Sequence, residues 1–256
     1  MSELNFTASG PASGVPIVFL HGFGGLGSSW DAVIAALGDR QPAVTVDLPG
    51  HGGSLHAEGR GGAGRMAKAI AAGLEGRGLA RFHLCGHSMG GAVAALIALR
   101  APERVASLTL IAPGGMAPEI NAELLGRYAQ AENEAEIRAL WTEMAAPGFD
   151  WPADQIAAQA AARRAPGAMA ALGETYASMF PAGPDQGQGV IPQAQLAALD
   201  MPVAVIWGGD DHVVPCPGPA GLPASFALSL LPGHGHMLPE EAAGAIVRVL
   251  RHQTGG

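Results

Sequence analysis

The sequence predicts an α/β protein built on a mostly parallel, doubly wound sheet, with one long helical insertion. Short runs of apolar and β-branched residues, each ended by Gly or Pro, recur along the chain. Such runs are typical of parallel strands buried on both faces. Helical patterns fill the gaps between them, and strand–helix alternation predicts a doubly wound sheet. A single stretch of about 85 residues lacks strand pattern, which predicts the insertion.

Six apolar runs predict the strands, and each is followed by a turn signal. They are Val15–Leu20, Ala43–Asp47, Phe82–Cys85, Val105–Ala112, Val203–Trp207 and Phe226–Leu231. The core helices follow from capping residues and from apolar residues at helical spacing. They are a helix from Ser28, Ser29 and Asp31 to about Leu37, then Arg65–Leu79, Met89–Arg100 and a last helix opened by Pro239-Glu240-Glu241.

The insertion runs from about Gly115 to Ala198 and predicts a helical cap over the strand ends. Its helical patterns are Glu119–Gln130, Ala135–Met144, Ala153–Arg164 and Ala168–Phe180. The expected organisation is a core formed by residues 1–114 and 199–256, with a cap at 115–198. The cap holds both tyrosines and several methionines; such methionines usually serve packing, and the alternative is that they line an adaptable apolar pocket. Arg163 and Arg164 could meet an acidic substrate there, although paired arginines on a helix are more often solvated.

Composition excludes several classes of function. The 256 residues are 48% hydrophobic, carry a net charge of −8 and include no basic cluster, so nucleic acids and anionic membranes are poor partners. No apolar run is long enough to span a bilayer, and the N-terminus lacks the pattern of a signal peptide. Two cysteines, Cys85 and Cys216, form no disulfide framework. We therefore expect a cytoplasmic protein with free thiols.

The strongest chemical signal is the segment Gly86-His87-Ser88-Met89-Gly90-Gly91. It follows a predicted strand and precedes a predicted helix, which is the context of a G-x-S-x-G nucleophile elbow. The glycines remove side chains that would collide on a sharp, strained turn. Ser88 is therefore the predicted nucleophile, next to a helix N-terminus that favours a developing oxyanion.

A serine nucleophile needs a base and an orienting carboxylate, in the chain order Ser, acid, His for this motif. Asp210-Asp211-His212 and His234-Gly235-His236 follow the last two predicted strands and fit that order. We choose His236 over His234, because it follows Gly235 and leads directly into the final helix. Spacing leaves Asp210 and Asp211 both open as the acid. No further cluster has metal-ligand spacing, so no metal is predicted.

The loop after the first long strand, His21-Gly22-Phe23-Gly24-Gly25, is the predicted source of the second oxyanion donor. Its glycines allow a carbonyl oxygen to approach, and we expect the backbone N–H groups of Phe23 and Met89 to form the oxyanion hole. His51 is expected to be a turn residue, and Asp47 precedes the nucleophile and does not fit the order. The predicted substrate contacts are His21, Gly22, His87, Met116, Met144 and Tyr176.

These motifs together resemble the α/β-hydrolase superfamily across nearly the whole chain. The matching segments are residues 21–25, 47–52 (DLPGHG), 86–91, 207–215 (WGGDDHVVP) and 235–236. The resemblance implies an α/β-hydrolase fold, with a four-helix cap inserted after the sixth strand. It assigns Asp211 as the acid, through the family pattern Gly-x-x-Asp-x-x-Val-Pro. The usual N-terminal hairpin is shortened to one strand within Leu4–Ala8, and a Pro/Gly-rich segment replaces the helix expected between Val214 and Phe226.

A narrower resemblance is carried by residues 20–25, 47–54 and especially 108–121 (LTLIAPGGMAPEIN). These segments are similar to the hydrolase-like catalytic domain of acetoin dehydrogenase acyltransferase components. Members of that group often carry an N-terminal lipoyl domain, which we do not expect here. Acyl transfer to dihydrolipoamide would then require a lipoyl carrier in trans.

The resulting expectation is a serine hydrolase that cleaves a small or medium acyl ester or thioester through an acyl-serine, without a cofactor, as a monomer or homodimer. Acyl transfer to a thiol and carbon–carbon bond hydrolysis are the alternatives, because both use the same triad. Haloalkane dehalogenases and epoxide hydrolases are disfavoured, since both need an aspartate where Ser88 stands. A non-catalytic binding module on the same fold is a further alternative, because a fold alone does not prove activity.

Overall fold

The structure, a computed structural model, describes residues 3–255. The predicted core begins at residue 1 and ends at residue 256, and both of these positions lie outside the described residues. The expectation that the N-terminus lacks a signal peptide rests partly on Met1 and Ser2, which also lie outside them. Within the described part, no helix has both the length and the apolar character needed to cross a membrane.

The centre of the molecule is a seven-stranded sheet in the order β1-β3-β2-β4-β5-β6-β7. The strands are β1 Phe6–Ser9, β2 Ile17–Leu20, β3 Ala43–Val46, β4 Phe82–His87, β5 Val105–Ile111, β6 Val203–Gly208 and β7 Ala227–Leu231. Strand β1 is antiparallel to β3, and every other pairing is parallel. The mostly parallel, doubly wound sheet predicted from the sequence is confirmed.

Helices pack around this sheet, with α1 against α10 and α2 against α3. The bounds are α1 Asp31–Leu37, α2 Ala63–Gly76, α3 Met89–Arg100, α4 Ala122–Gln130, α5 Glu134–Met144, α6 Ala153–Arg163, α7 Ala168–Met179, α8 Gln193–Leu196, α9 Leu238–Glu241 and α10 Ala243–Thr254. The last predicted helix is divided into α9 and α10 at Ala242, whose φ of −135° is not helical.

Helices α4 to α7 lie in the insertion between β5 and β6, close to the bounds that the sequence predicts, and the short helix α8 follows them there. Asparagines begin two of them. Asn121 Oδ1 accepts a hydrogen bond from Leu124 N at 3.0 Å, and Asn133 Oδ1 accepts one from Glu136 N at 3.1 Å. Each satisfies a backbone donor that the first helical turn leaves unpaired. The insertion follows the fifth strand of this chain, not a sixth as predicted, because β1 stands alone before β2.

Central strands β2, β3, β4 and β6 are fully buried, as their apolar sequences predict. Strand β7 differs, because it is the edge of the sheet and most of its side chains are exposed or half-buried. Burial on both faces is therefore a wrong prediction for this strand.

The register of the central strands determines where the site forms. Leu20 pairs with Gly86 at the carboxyl ends of β2 and β4, and His87 pairs with Ile111 on β5. Because parallel strands end at the same edge of a sheet, the loops that follow them meet there. The predicted oxyanion loop and the segment containing Ser88 are thus neighbours.

Candidate active site

Ser88 lies on the turn between β4 and α3 with a φ of +52°. Few non-glycine residues adopt positive φ, and such strained positions cluster at functional sites. A Cβ at Gly86 would lie 2.3 Å from Gly90 O, and a Cβ at Gly90 would lie 2.3 Å from Leu20 O. The tight turn therefore requires glycine on both sides of Ser88.

A continuous chain of polar contacts links the side chains of Ser88, His236 and Asp211. His236 Nε2 lies 3.0 Å from Ser88 Oγ, and His236 Nδ1 lies 2.8 Å from Asp211 Oδ2. All three residues are buried. With the Nδ1 proton directed to the carboxylate, Nε2 is free to accept the serine proton. The structure thus brings together the three residues that the sequence analysis selects.

Asp211 rather than its neighbour Asp210 lies in this chain of contacts. Asp211 Oδ1 also accepts hydrogen bonds from Val213 N and Val214 N, at 2.8 and 2.9 Å. Asp210 is exposed to solvent. His234, the rejected histidine, contacts its own loop at Pro232 O. The turn after β6 therefore directs one carboxylate inward and the other outward.

Backbone contacts hold His236 in place. His236 N donates to Met144 O at 2.8 Å, and His87 Nε2 lies 2.8 Å from His236 O, to which it donates. Glu241 accepts hydrogen bonds from the backbone N–H groups on both sides of the histidine, Gly235 N and Met237 N, each at 2.9 Å. Fixed backbone on both sides restricts the positions that the imidazole can occupy.

The predicted oxyanion donors border the same serine. Within the described part of the chain, neither Phe23 N nor Met89 N donates to a protein acceptor. Met89 is the first residue of helix α3, so its N–H lies at the positive end of the helix dipole. Free donors at such a position suit a negatively charged oxygen.

Two buried histidines hold the predicted oxyanion loop, and one of them, His51, is a turn residue as the sequence predicts. His21 Nε2 accepts from Leu48 N at 2.9 Å, and its Nδ1 donates to Gly22 O. His51 Nε2 accepts from Gly24 N at 3.1 Å. Both nitrogens of the fully buried His21 are thus used by backbone, and it lines neither cavity beside Ser88. The predicted substrate contact of His21 thus lies away from both cavities and stays a prediction.

The cap holds this loop from the other side. Tyr128 on α4 donates from its hydroxyl to Gly24 O at 3.3 Å and accepts from Trp141 Nε1 at 2.9 Å. Arg163 donates to Tyr128 O and Ala131 O at 2.7 and 2.6 Å, and its guanidinium stacks on the Tyr128 ring. Arg163 is therefore buried inside the cap, where it satisfies carbonyls at the end of α4.

Buried neutral histidines predict acid sensitivity. Burial lowers the pKa of His51 to about 3 and also lowers the pKa of His21 and His87 below the ordinary 6.5. At pH values between the lowered pKa of each native histidine and the ordinary pKa of 6.5, the unfolded chain binds more protons than the native protein. The free energy of unfolding therefore falls as pH drops below about 6.5, by at most ~1.4 kcal/mol per pH unit for each histidine. Glu240 opposes this trend, because its pKa is raised to about 8.

Urea unfolding of wild type and His51→Gln at pH 6.5 and 5 measures this contribution. We expect the variant to have the shallower pH dependence, by up to ~1.4 kcal/mol per pH unit. His252→Gln changes an exposed residue at the end of α10, so its free energy of unfolding should have the same pH dependence as that of wild type. Equal slopes for wild type and His51→Gln would contradict the role of the buried ring.

Two cavities adjoin Ser88, and they differ in size and lining. The larger has a volume of about 290 Å³ and a mostly apolar lining that includes Met89, Ala92, Leu96 and Ile191. The smaller has a volume of about 30 Å³ and is the one lined by His236. Phe23 lines both.

Some of the residues predicted to contact substrate line a cavity beside Ser88, and others do not. Gly22, His87 and Met144 line the smaller one, whereas Met116 and Tyr176 line neither. Tyr176 instead donates to Ala122 O and packs near Phe23. The sequence analysis missed Glu240 and the segment Gln188–Pro192 as lining residues. No motif signals them, because they reach the site through the packing of the cap and of α9.

No group of three or more His, Cys, Asp or Glu side chains suited to a metal occurs among residues 3–255. The chemistry derived below uses the side chains described above and needs no added group.

A family model described as the alpha/beta hydrolase fold matches residues 15–243. The chain belongs to the α/β-hydrolase family. The matched range contains β2 to β7, the cap and all the polar residues of the site. The predicted fold family is thereby confirmed.

Two curated relatives of this α/β hydrolase have different names. The dihydrolipoyllysine-residue acetyltransferase component of an acetoin cleaving system from Pseudomonas putida is 32% identical over 234 residues, covering 91% of this chain and 62% of the relative. A pimeloyl-[acyl-carrier protein] methyl ester esterase from Nitrosomonas europaea is 38% identical over 112 residues, covering 44% of this chain and 42% of the relative. The chain spans less than two thirds of the acetoin relative, and the predicted resemblance to that group is confirmed.

Solved structures similar to this α/β hydrolase share its fold. A 2-hydroxy-6-oxo-6-phenylhexa-2,4-dienoate hydrolase from Rhodococcus sp. strain RHA1 matches with a TM-score of 0.81 and 22% identity, covering 99% of this chain and 95% of that structure. A carboxylesterase from Bacillus subtilis matches with a TM-score of 0.78 and 21% identity, covering 98% and 87%. At these identities the likeness supports the fold alone.

Proposed function

We propose that this protein is a serine hydrolase that cleaves esters or thioesters of apolar acyl groups through an acyl-Ser88 intermediate. The observation that carries the proposal is the chain of contacts from Asp211 through His236 to Ser88. A buried serine, histidine and carboxylate at hydrogen-bond distance form the arrangement that activates a hydroxyl for attack. The similarity to a pimeloyl-[acyl-carrier protein] methyl ester esterase supports the same class of reaction.

The proposed reaction has two half-reactions. Ser88 Oγ attacks the acyl carbon while His236 Nε2 takes its proton, and Asp211 stabilises the resulting imidazolium. Phe23 N and Met89 N donate to the oxyanion of the tetrahedral intermediate. His236 then gives the proton to the leaving group, and the acyl-serine remains. In the second half-reaction, water attacks the acyl carbon while His236 Nε2 takes a proton from it. His236 then returns the proton to Ser88 Oγ, and the carboxylic acid leaves.

The two cavities divide the substrate between them. The leaving oxygen or sulfur atom must lie next to His236, because that residue protonates it, and His236 lines only the smaller cavity. The acyl group is therefore assigned to the larger cavity, next to the oxyanion donor Met89. A water molecule takes about 30 Å³, and a methylene group is similar in size. The larger cavity thus suits an acyl chain of roughly eight to ten heavy atoms.

Acyl-chain length provides a direct prediction. Burial of one methylene contributes about 0.8 kcal/mol, so kcat/KM should rise about fourfold for each methylene until the cavity is filled. Rates with p-nitrophenyl esters from acetyl to decanoyl measure this dependence. Ala92→Phe places a ring in the larger cavity. The substitution should lower kcat/KM for the octanoyl ester by ~tenfold or more, and it should leave kcat/KM for the acetyl ester within ~twofold of wild type. Equal losses on all esters would contradict the acyl assignment.

Active-site labelling tests the proposed nucleophile. A fluorophosphonate probe forms a stable adduct with an activated serine, and peptide mass spectrometry should locate that adduct on the peptide containing Ser88. Acid denaturation of the protein before labelling should abolish the adduct, because the serine then loses His236. A native protein that gives no adduct would favour a non-catalytic binding module on this fold.

Acyl transfer to a thiol is the second candidate, and the similarity to acetoin-system acetyltransferase components favours it. Water and a thiol would compete for the same acyl-Ser88. Turnover in the presence of dihydrolipoamide should then yield acyl-thiol in addition to free acid. Formation of free acid alone at millimolar thiol would exclude transfer to this acceptor. A lipoyl carrier in trans is the partner that this reaction would need.

We place the protein in the cytoplasm on the basis of its thiols. Cys85 is buried and Cys216 half-buried, and both are free. Unpaired cysteines are typical of a reducing compartment.

A further inference from the structure

Glu240 is a half-buried acid that the proposed triad does not use. It lies on α9, four residues after His236, and lines the smaller cavity together with Ser88 and His236. Its Oε2 is inaccessible to solvent and has no hydrogen-bond partner among the described residues. Buried polar atoms are nearly always paired, so each exception needs an explanation.

The adjacent acid, Glu241, shows what a structural role looks like in this segment. Its carboxylate accepts hydrogen bonds from Ala146 N, Gly235 N and Met237 N, at 2.8, 2.9 and 2.9 Å. These hydrogen bonds join the loop that contains His236 to the residues that follow α5. Because Glu241 already satisfies this backbone, Glu240 is not needed for that purpose.

The size of the cavity restricts what Glu240 can bind. A water molecule takes about 30 Å³, so a cavity of about 30 Å³ admits about one water molecule or one group of similar size. Burial, with the nearby charge of Glu241, raises the pKa of Glu240 to about 8. At neutral pH the carboxyl is thus mostly protonated and adds little negative charge beside His236. A neutral carboxyl still offers an acceptor oxygen.

We propose that Glu240 positions the water molecule that hydrolyses the acyl-Ser88 intermediate. The inference rests on the proposed function, because it assigns a residue to its second half-reaction. Glu240 and His236 line one cavity of water size next to Ser88. A water there donates one hydrogen to His236 Nε2 and the other to the Glu240 carboxyl. Its lone pair is then directed at the acyl carbon.

The step balances without any added reactant. The water oxygen forms a bond to the acyl carbon as its proton passes to His236 Nε2. The tetrahedral intermediate collapses, the bond from carbon to Ser88 Oγ breaks, and His236 returns the proton to Oγ. The products are the free carboxylic acid and the starting enzyme, and the Glu240 carboxyl is unchanged.

Pre-steady-state kinetics with p-nitrophenyl butanoate test this role. The first release of nitrophenolate reports acylation, and the steady state reports deacylation once acylation is faster. In Glu240→Leu we expect acylation within about twofold of wild type and deacylation slower by roughly tenfold or more. Intact-protein mass spectrometry should then show the butanoyl adduct accumulating on the enzyme. Glu240→Gln should restore most of the rate, because its amide oxygen also accepts a hydrogen bond.

The leucine variant should fold, since it replaces a half-buried carboxyl that has one unpaired oxygen with an apolar group of similar size. Its Tm should equal or exceed that of wild type, and Glu240→Met provides a second variant of the same kind. Glu241→Leu is the contrasting change, because it removes three backbone hydrogen bonds. It should lower Tm and slow both half-reactions together.

Two results would overturn the proposal. One is wild-type deacylation in Glu240→Leu and Glu240→Met, and the other is an equal loss of acylation and deacylation in both. Either would leave the proposed function intact as long as Ser88→Ala is inactive. If Ser88→Ala turns over butanoyl ester at the wild-type rate, the proposed function itself fails.

Discussion

Ser88→Ala should lower ester turnover by roughly 10⁴- to 10⁶-fold, the range found when a serine nucleophile of this kind is removed. The substitution deletes one oxygen from a buried side chain and leaves His236 and Asp211 in contact. The fold should therefore persist, and the Tm should stay within a few degrees of wild type. Initial rates with a butanoyl ester, together with a thermal melt by circular dichroism, measure both quantities.

Ser229→Ala provides the matched control, because Ser229 is exposed on the edge strand β7. It makes the same chemical change far from the proposed nucleophile, so its turnover should equal that of wild type. More than about one per cent residual activity in Ser88→Ala would contradict the proposed acyl-serine. A lowered Tm in that variant would instead indicate that the hydroxyl also stabilises the fold.

Gly90→Ala should produce the second large effect, although it alters none of the three polar side chains. The added Cβ would lie 2.3 Å from Leu20 O and 2.4 Å from His21 O, where no contact of this kind is tolerated. Either the start of α3 or the end of β2 must move. Overpacking of this severity should cost about 3 kcal/mol or more. Turnover should fall strongly as well, because the shift separates Met89 N from Phe23 N.

Gly173→Ala is the matched control for this change. Gly173 lies within α7, is exposed, and an added Cβ there meets nothing within 4 Å. Alanine at this position should stabilise the helix by about 0.5–1 kcal/mol. Urea unfolding and ester turnover compare the two variants. Wild-type stability in Gly90→Ala would show that the elbow tolerates a side chain and would contradict the packing argument.

Features encoded in short stretches of sequence could be predicted well. The turn around Ser88 is specified by glycines two residues away on either side, so its position follows from adjacent residues. The cap helices follow from apolar periodicity and from Asn121 and Asn133 at two helix starts. Such elements depend on the backbone preferences of neighbouring residues and on side-chain caps, and both can be read within a short window of sequence.

Other features depend on contacts between residues far apart in the chain. The sequence left Asp210 and Asp211 open until the family resemblance was added. The structure distinguishes them, because only Asp211 lies within 2.8 Å of His236, 25 residues away. His21 has a contact of the same long-range kind, because its ring accepts a hydrogen bond from Leu48 N across 27 positions. No pattern within a short window reports such a contact.

The sequence by itself determined the fold class, the cap and the segment that carries the proposed nucleophile, because each depends on periodicity or on neighbouring residues. Only the tertiary structure decided which residues line the two cavities and where β7 is exposed. Glu240 is the clearest case, since in the sequence it is one of two acids that begin a helix. Packing separates their roles by pairing Glu241 with three backbone N–H groups and leaving the carboxyl of Glu240 beside Ser88.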